Sequence, residues 1–488
     1  MSVRHAAVWS VGGQYIGFTL QFVSSVVISR FFLDPAEVGL FSIALAAAML
    51  ISLLQDFGLT RYIANLPSLR QGELGRCSSV ALIFALAIGG ALALIALPMA
   101  SFYSEAGLAP ILWIIAGSYL FVPLAIVPMA VLSREMAFKD IFAVNFAGAL
   151  TQAGFAIGLA AAGFSAASLA WAMVAAAVVK AVVAQWRRPA SPFPLRFEGL
   201  KPVLHFGSQS SALYLIGGVG YRSADLIVGA LLSLTATGLY TRATGLSTQL
   251  RNLVAGGAAA VLYPAFARLQ REGEDLAKPY LRVVACFTAA TWPAMAGLAL
   301  AATPTVNLLF GEKWIGAAPI LTWIALGEML VIALPLHVEL PILRGAMKPL
   351  IVRNTLDTIA SLALLLLGAA YSAEGAAMSR IAYGAIWLMI YVRFISRMAG
   401  ISPAQLLPVH FTSAIATFAA IAPMAAAWVW MPGYDTLGFF PLASLAAAGV
   451  LLWLVALFAM RHPLADEIAG LAGDMIGHLR SKREQPAS

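Results

Sequence analysis

Charge is what this chain has least of. Only 11% of its 488 residues are Asp, Glu, Lys or Arg and 61% are hydrophobic, whereas soluble domains carry about a quarter charged residues. That balance excludes an ordinary soluble fold and points to a polytopic membrane protein. Cysteine is equally scarce: Cys77 and Cys286 give neither a disulfide framework nor a metal-binding spacing, so no metal site is expected. There is no nucleotide-binding glycine motif, which argues against direct ATP hydrolysis, and no cofactor is expected. His205, His337 and His410 stand isolated, and no Ser, His and Asp arrangement suggests catalysis, so the chain does not read as an enzyme. Connections are short throughout and leave no room for a sizeable extramembrane domain.

What is there is apolar length. Crossing the hydrocarbon takes about 20 apolar residues, and about fourteen such runs follow one another, near 6–32, 38–64, 78–103, 108–132, 141–163, 166–186, 203–232, 237–266, 280–310, 315–343, 350–371, 375–396, 408–430 and 437–460. The start, with Arg4 before an apolar run, imitates a signal peptide. No small-residue cleavage site follows and the run ends at Arg30, so it is taken as the first span.

Basic residues collect in alternate loops. Arg61, Arg70 and Arg76, then Arg134 and Lys139, then Arg187, Arg188, Arg196 and Lys201, then Arg268, Arg271 and Lys278 fall on one side, while Asp34, Glu37, Glu105, Glu374 and Asp435 fall on the other, with only Arg30 and Lys313 as basic members there. Basic loops face the cytoplasm, which puts both termini there. The net charge of +8 therefore reads as membrane orientation and not as a nucleic-acid surface.

Laying the chain on itself at an offset of 199 residues aligns Tyr15, Ser24, Gly39, Leu40, Phe41 and Gly58 with Tyr214, Ser223, Gly238, Leu239, Tyr240 and Gly257. Six spans separate the copies, so both run the same way through the bilayer. This is a parallel repeat about an axis along the membrane normal, an arrangement that holds a substrate between two lobes. The expected fold is all-α: a six-helix bundle over 1–190, a basic linker over 191–202, a second six-helix bundle over 203–398, two additional helices over 405–460, and an amphipathic tail over 461–488. In that tail Leu464, Ile468, Leu471, Met475 and Leu479 share a face suited to the inner membrane surface.

The stretches SRFFLDPAEVGLFSIA (29–44), LLQDFGLT (53–60), SREMAFK (133–139), SADLIVGALLSLTATGLYTRA (223–243), LYPAFARLQRE (262–272) and PAMAGLALAATPTVNLLFGEKWIGAAPIL (293–321) carry a resemblance. The chain resembles the polysaccharide-transporter branch of the multidrug, oligosaccharidyl-lipid and polysaccharide exporter superfamily. The resemblance implies a flippase that carries a polyprenyl-diphosphate-linked oligosaccharide from the inner to the outer leaflet of the bacterial cytoplasmic membrane by alternating access. It implies as partners the lipid-linked glycan, membrane lipids, and a polymerase and glycosyltransferases of the same pathway, with no nucleic acid.

The deep charges bear on that expectation. A charge at the centre of a membrane helix costs about 2.5–3.5 kcal/mol on insertion scales, so Arg222, Asp225, Arg242 and Arg251 imply a polar interior. Guanidinium forks suit paired phosphate oxygens better than an ammonium does, which makes Arg222 and Arg251 candidates for the diphosphate. Alternatively, Asp225 neutralises Arg222 at the i, i+3 spacing. Arg242 and Arg251 are nine residues apart, hence on opposite faces of one helix unless it unwinds near Gly245. Arg242, near the outer end, either binds substrate or snorkels to the interface; Arg380 and Lys180 read as interfacial anchors.

Gln14 and Gln21 share a face of the first span, suited to sugar hydroxyls or to interhelical hydrogen bonds. Glu328 and Asp357 are candidates for ion coupling or for pairing with arginine, and Asp56 reads as structural. Two alternatives remain. A cation-coupled drug antiporter of the same superfamily would need an acidic cavity, and a membrane glycan polymerase or ligase would need a large outer loop.

Overall fold

The chain's computed structural model describes residues 3–52, 59, 62–63, 71–189, 196, 198, 200, 223–256 and 258–470. Among these no strand occurs. Without water to satisfy peptide groups, a membrane segment must close its own backbone bonds, and the apolar runs do so as helices: α1 (Val3–Phe31), α2 (Pro35–Ser52), α3 (Gln71–Phe102), α4 (Leu108–Ser118), α5 (Val122–Arg134), α6 (Phe138–Ala161), α7 (Ala167–Arg187), α8 (Leu234–Ala255), α9 (Ala258–Arg271), α10 (Ala277–Leu300), α11 (Ala302–Phe310), α12 (Ala317–Ile332), α13 (Glu339–Leu343), α14 (Met347–Ala369), α15 (Ala373–Ala399), α16 (Leu406–Trp430) and α17 (Phe439–Ala459). Residues 223–231 and 463–470 are also helical. Among the described residues nine helices are long and apolar enough to cross a membrane, and α4 with α5 makes a tenth if that pair, bent by 45°, is one span.

Several runs that read as single spans are interrupted. The run 108–132 breaks between Ser118 and Val122. Pro123, which lacks an N–H, sits at the start of α5, so the helix cannot continue unbent through it. The run 315–343 breaks after Ile332, ahead of Pro335. There the freed carbonyls are met by side chains. Trp292 Nε1 donates to Met329 O at 2.8 Å, Tyr280 Oη donates to Pro335 O at 3.2 Å, and the His410 ring lies 3.1 Å from Ala333 O. By contrast α8 is continuous through Gly245, and its break falls at Gly256.

The helices form two units. The first comprises Met1–Arg242, Leu309–Gly316 and Asn354–Ala376; the second comprises Ala243–Leu308, Ala317–Arg353 and Ala377–Ser488. In the first, Ile43, Leu92, Leu108, Leu112 and Ile115 are fully buried between α2, α3 and α4. In the second, Tyr280, Leu334, Leu340, Trp387 and Tyr391 form the principal core. The segment 463–470 packs Leu464 and Ile468 against Leu457, Ala289 and Ala416. It is held further by an exposed Arg282–Glu467 pair at 2.8 Å. Beside it, burial pushes the His462 imidazole below its ordinary range.

Two helix starts in the first unit mirror each other at the 199-residue offset. Asp34 and Glu37 exchange side-chain-to-backbone bonds of 2.9 and 3.0 Å around Pro35, a capping box for α2. Ser233, 199 positions after Asp34, accepts from Ala236 N at 3.1 Å at the start of α8. One turn on, Gly39 and Gly238 abut reciprocally: a Cβ on Gly39 would overlap the Leu234 carbonyl oxygen, and one on Gly238 would overlap that of Pro35. Only glycine permits this approach. Gly39→Ala or Gly238→Ala should therefore force the helices apart at a cost of about 1–3 kcal/mol. Thermal unfolding of the purified protein checks this: both variants should melt lower than wild type, and an unchanged midpoint would mean that the crossing gives way without cost.

Candidate functional site

The first unit contains a cavity of about 460 Å³ lined by α1, α6 and α7. Its wall along α1 is Gly13, Gly17, Phe18, Gln21 and Ser24; along α6 it is Phe138, Ile141, Phe142, Asn145, Ala149, Gln152 and Ala153; α7 contributes Lys180. The spacing explains the pattern. Positions three, four and seven apart share a helix face, so Gly17, Gln21 and Ser24 line up on α1, and Asn145, Ala149 and Gln152 line up on α6. Gly13 is small because Phe142 occupies the space its Cβ would need. The cavity follows α6 from its first residue, Phe138, to Gln152, about 20 Å at 1.5 Å per residue.

Lys180 is the cation of this wall, and no Asp or Glu is among its lining residues. Its stem lies against α6 where Gly148 leaves room: a Cβ on Gly148 would overlap Lys180 Cγ, Cδ and Cε. It lies seven residues, about 10 Å, inside the end of α7 at Arg187. Lys180 is thus a cavity residue and not the interfacial anchor expected of it.

The second unit holds the other buried charges. Glu328, with 8% of its side chain exposed, accepts from Arg251 Nη1 at 2.7 Å on one carboxylate oxygen and from Arg380 Nη2 at 3.3 Å on the other. Arg380 also lies over the Tyr383 ring at 4.8 Å. The expectation that Arg380 is only an anchor is corrected: its guanidinium turns inward to the carboxylate, because a buried carboxylate must be paired. The cluster carries a formal charge of +1.

Arg242 belongs to the first unit. Its guanidinium donates to Ser25 Oγ and lies 5.6 Å from the Trp314 ring centroid, while its Nε is buried with no hydrogen bond. It packs inward on these groups, so the snorkelling reading is replaced. Trp314 is itself fixed by donating to Ser29 O at 2.8 Å. Arg242 and Arg251 thus engage different partners, as opposite helix faces require. Asp225 accepts from Thr241 Oγ1 at 2.9 Å. Asp357 lies half-buried on α14 in the first unit. Arg222, Asp56 and the side chain of Gln14 lie outside the described residues.

Sequence reasoning placed Gln21 and named Ser24, but missed Asn145 and Gln152. The same seven-residue rule applied to the fifth span would have found that pair.

Residues 27–319 match the family described as polysaccharide biosynthesis protein, more than half of the chain. The chain belongs to that family. Among its relatives, the lipopolysaccharide biosynthesis protein WzxC of Escherichia coli (strain K12) is 22% identical over 332 residues, 66% of each chain. The succinoglycan biosynthesis transport protein ExoT of Rhizobium meliloti (strain 1021) is 25% identical over 344 residues, 69% of this chain and 68% of that one. The matched stretches thus span about two thirds of those relatives.

Among solved structures, the fold is similar to that of the lipid II flippase MurJ in an inward closed conformation, with a TM-score of 0.75 at 12% identity, covering 92% of this chain and 98% of that one. It is also similar to an inward-facing MATE family transporter of the MOP superfamily, with a TM-score of 0.62 at 16% identity, covering 79% of this chain and 96% of that one.

Removing the Glu328 charge should leave two guanidinium groups without their carboxylate. Glu328→Gln is expected to cost about 2–4 kcal/mol. The loss should be less than additive with Arg251→Gln in a double-mutant cycle read by thermal unfolding; strict additivity would mean that the pair is not energetically coupled.

Proposed function

We propose that the protein is a flippase that moves a polyprenyl-diphosphate-linked oligosaccharide, such as an exopolysaccharide, capsule or O-antigen unit, across the bacterial cytoplasmic membrane by alternating access. The observation that carries this reading is the cavity among α1, α6 and α7. Three amides, a hydroxyl, an ammonium and aromatic rings line it together. Pockets fix ligands with a few placed polar groups among apolar ones. Here Gln21, Asn145 and Gln152 suit sugar hydroxyls, and Phe18 and Phe142 suit the apolar faces of sugar rings. The names of WzxC and ExoT, which speak of lipopolysaccharide biosynthesis and succinoglycan transport, support a glycan cargo. The fold shared with MurJ supports a flippase scaffold.

In this proposal fourteen spans form two six-span lobes, 1–190 and 203–398, joined by the linker 191–202 and followed by the spans of 405–460, with both termini cytoplasmic. The reciprocal approach of Gly39 and Gly238, equivalent positions of the 199-residue repeat, supports that scheme. Arg222 and Arg251 receive the diphosphate, with Asp225 and Arg242 beside the path and Gln14 and Gln21 on the glycan. Glu328 and Asp357 are the carboxylates available for ion coupling. A polymerase and glycosyltransferases work on either side of the transport step. A drug-cation antiporter would place acid where this cavity places Lys180.

The test is complementation of a host whose own flippase gene is deleted. Wild type should restore surface glycan. Gln21→Leu with Asn145→Leu should lower export roughly tenfold, from two lost hydrogen bonds of about 0.5–1.5 kcal/mol each, while lipid-linked precursor accumulates. Arg222→Glu should stop export with the protein still inserted. Full export by the doubly substituted protein would sink the cavity's role in glycan handling.

A further inference from the structure

Lys180 sits in a place that apolar packing alone would not give to a lysine. It is half-buried on α7, and Gly148 on the neighbouring helix is bare where the lysine stem passes. Among the described residues no hydrogen bond or carboxylate meets its ammonium. The contrast with the second unit is direct, since Arg251 and Arg380 there share Glu328. An unpaired cation at this depth is costly, and it is kept in a cavity whose remaining polar groups are neutral.

We infer that Lys180 receives an anionic group of the cargo, a carboxylate or a phosphoryl oxygen, with Gln21, Asn145 and Gln152 holding the adjoining hydroxyls. This rests on the flippase reading and adds to it a charge requirement. Two parts of a lipid-linked glycan carry such oxygens: an acidic sugar and the diphosphate. A lone ammonium is a point charge that accepts either, whereas an arginine fork would favour paired oxygens. The cavity follows α6 inward from its first residue, Phe138, so the anion reaches Lys180 from that end of the helix.

The experiment uses the full-length protein in lipid nanodiscs with three probes: a free oligosaccharide containing a uronate, a neutral oligosaccharide of the same length, and a polyprenyl diphosphate without sugar. Lys180→Met, which suits an apolar helix, should weaken binding of one anionic probe by roughly 10- to 100-fold, the worth of a charge-assisted hydrogen bond. It should leave the neutral oligosaccharide unchanged. Gly148→Ala keeps the charge but displaces the stem, and should weaken the same probe several-fold. Loss of the uronate probe assigns the site to an acidic sugar; loss of the polyprenyl diphosphate assigns it to the headgroup.

Equal affinity of wild type and Lys180→Met for both anionic probes would overturn the inference and leave the transport reading standing. An equal loss of the neutral oligosaccharide would reduce Lys180 to packing and overturn it as well. Wild type that binds none of the three would overturn the flippase reading and this inference with it.

Discussion

A helix surrounded by hydrocarbon has no solvent to fall back on, so every charge and every freed peptide group inside it must be answered by another part of the protein or by what the protein carries. Three of the described sites of charge deep in the helices follow that constraint in different ways. Glu328 is answered by two arginines. Arg242 is answered by a hydroxyl and an aromatic face, at the expense of an unsatisfied Nε. Lys180 is answered by no described side chain, and it alone of the three sits in the cavity wall. The first two charges meet partners within the folded chain, whereas the third faces the cavity.

The same constraint governs the backbone. Where α12 ends inside its apolar run, the carbonyls of Met329, Ala333 and Pro335 lie against Trp292, His410 and Tyr280. These side chains let the chain bend at membrane depth next to the Glu328 pairs, within the second unit. Glycine plays the complementary part by removing side chains where backbones must approach. Gly39 and Gly238 do this at the starts of α2 and α8, Gly13 does it against Phe142, and Gly148 does it for a lysine stem. The cavity is therefore shaped as much by what α1 and α6 omit as by the amides they present.

Transport of a lipid-linked glycan asks two things of such a scaffold. The glycan needs hydrogen-bonding groups that do not bind it too firmly, and amides with aromatic neighbours supply them without fixed charge. The anionic group needs a countercharge that can be shared and given up. An ammonium on a flexible stem meets that need more readily than a guanidinium already engaged by a carboxylate. Glu328 already pairs with Arg251 at 2.7 Å, so any anion that recruits Arg251 has to compete with an internal one.

Composition, hydrophobic run length and loop charge were enough to derive an all-helical polytopic protein, and the family resemblance rested on residues that span most of the chain. These are legible because the need to bury backbone in apolar helix acts on every residue of a span. Gln21 was legible too, since helical periodicity alone puts it on a stripe with its neighbours. The assignment of Lys180 and Arg380 as anchors failed because depth along a helix does not reveal which way a long side chain turns. That direction is set by what stands on adjacent helices, a bare Gly148 in one case and Glu328, 52 positions away, in the other. The breaks at Tyr119 to Phe121 and after Ile332 were likewise decided by tertiary structure, because proline only permits a bend and the neighbouring side chains must supply the lost hydrogen bonds. The amino-acid sequence by itself determined which segments are helices and how much charge they hold; the folded arrangement alone decided which of the described charges meet partners within the protein and that Lys180 faces a cavity.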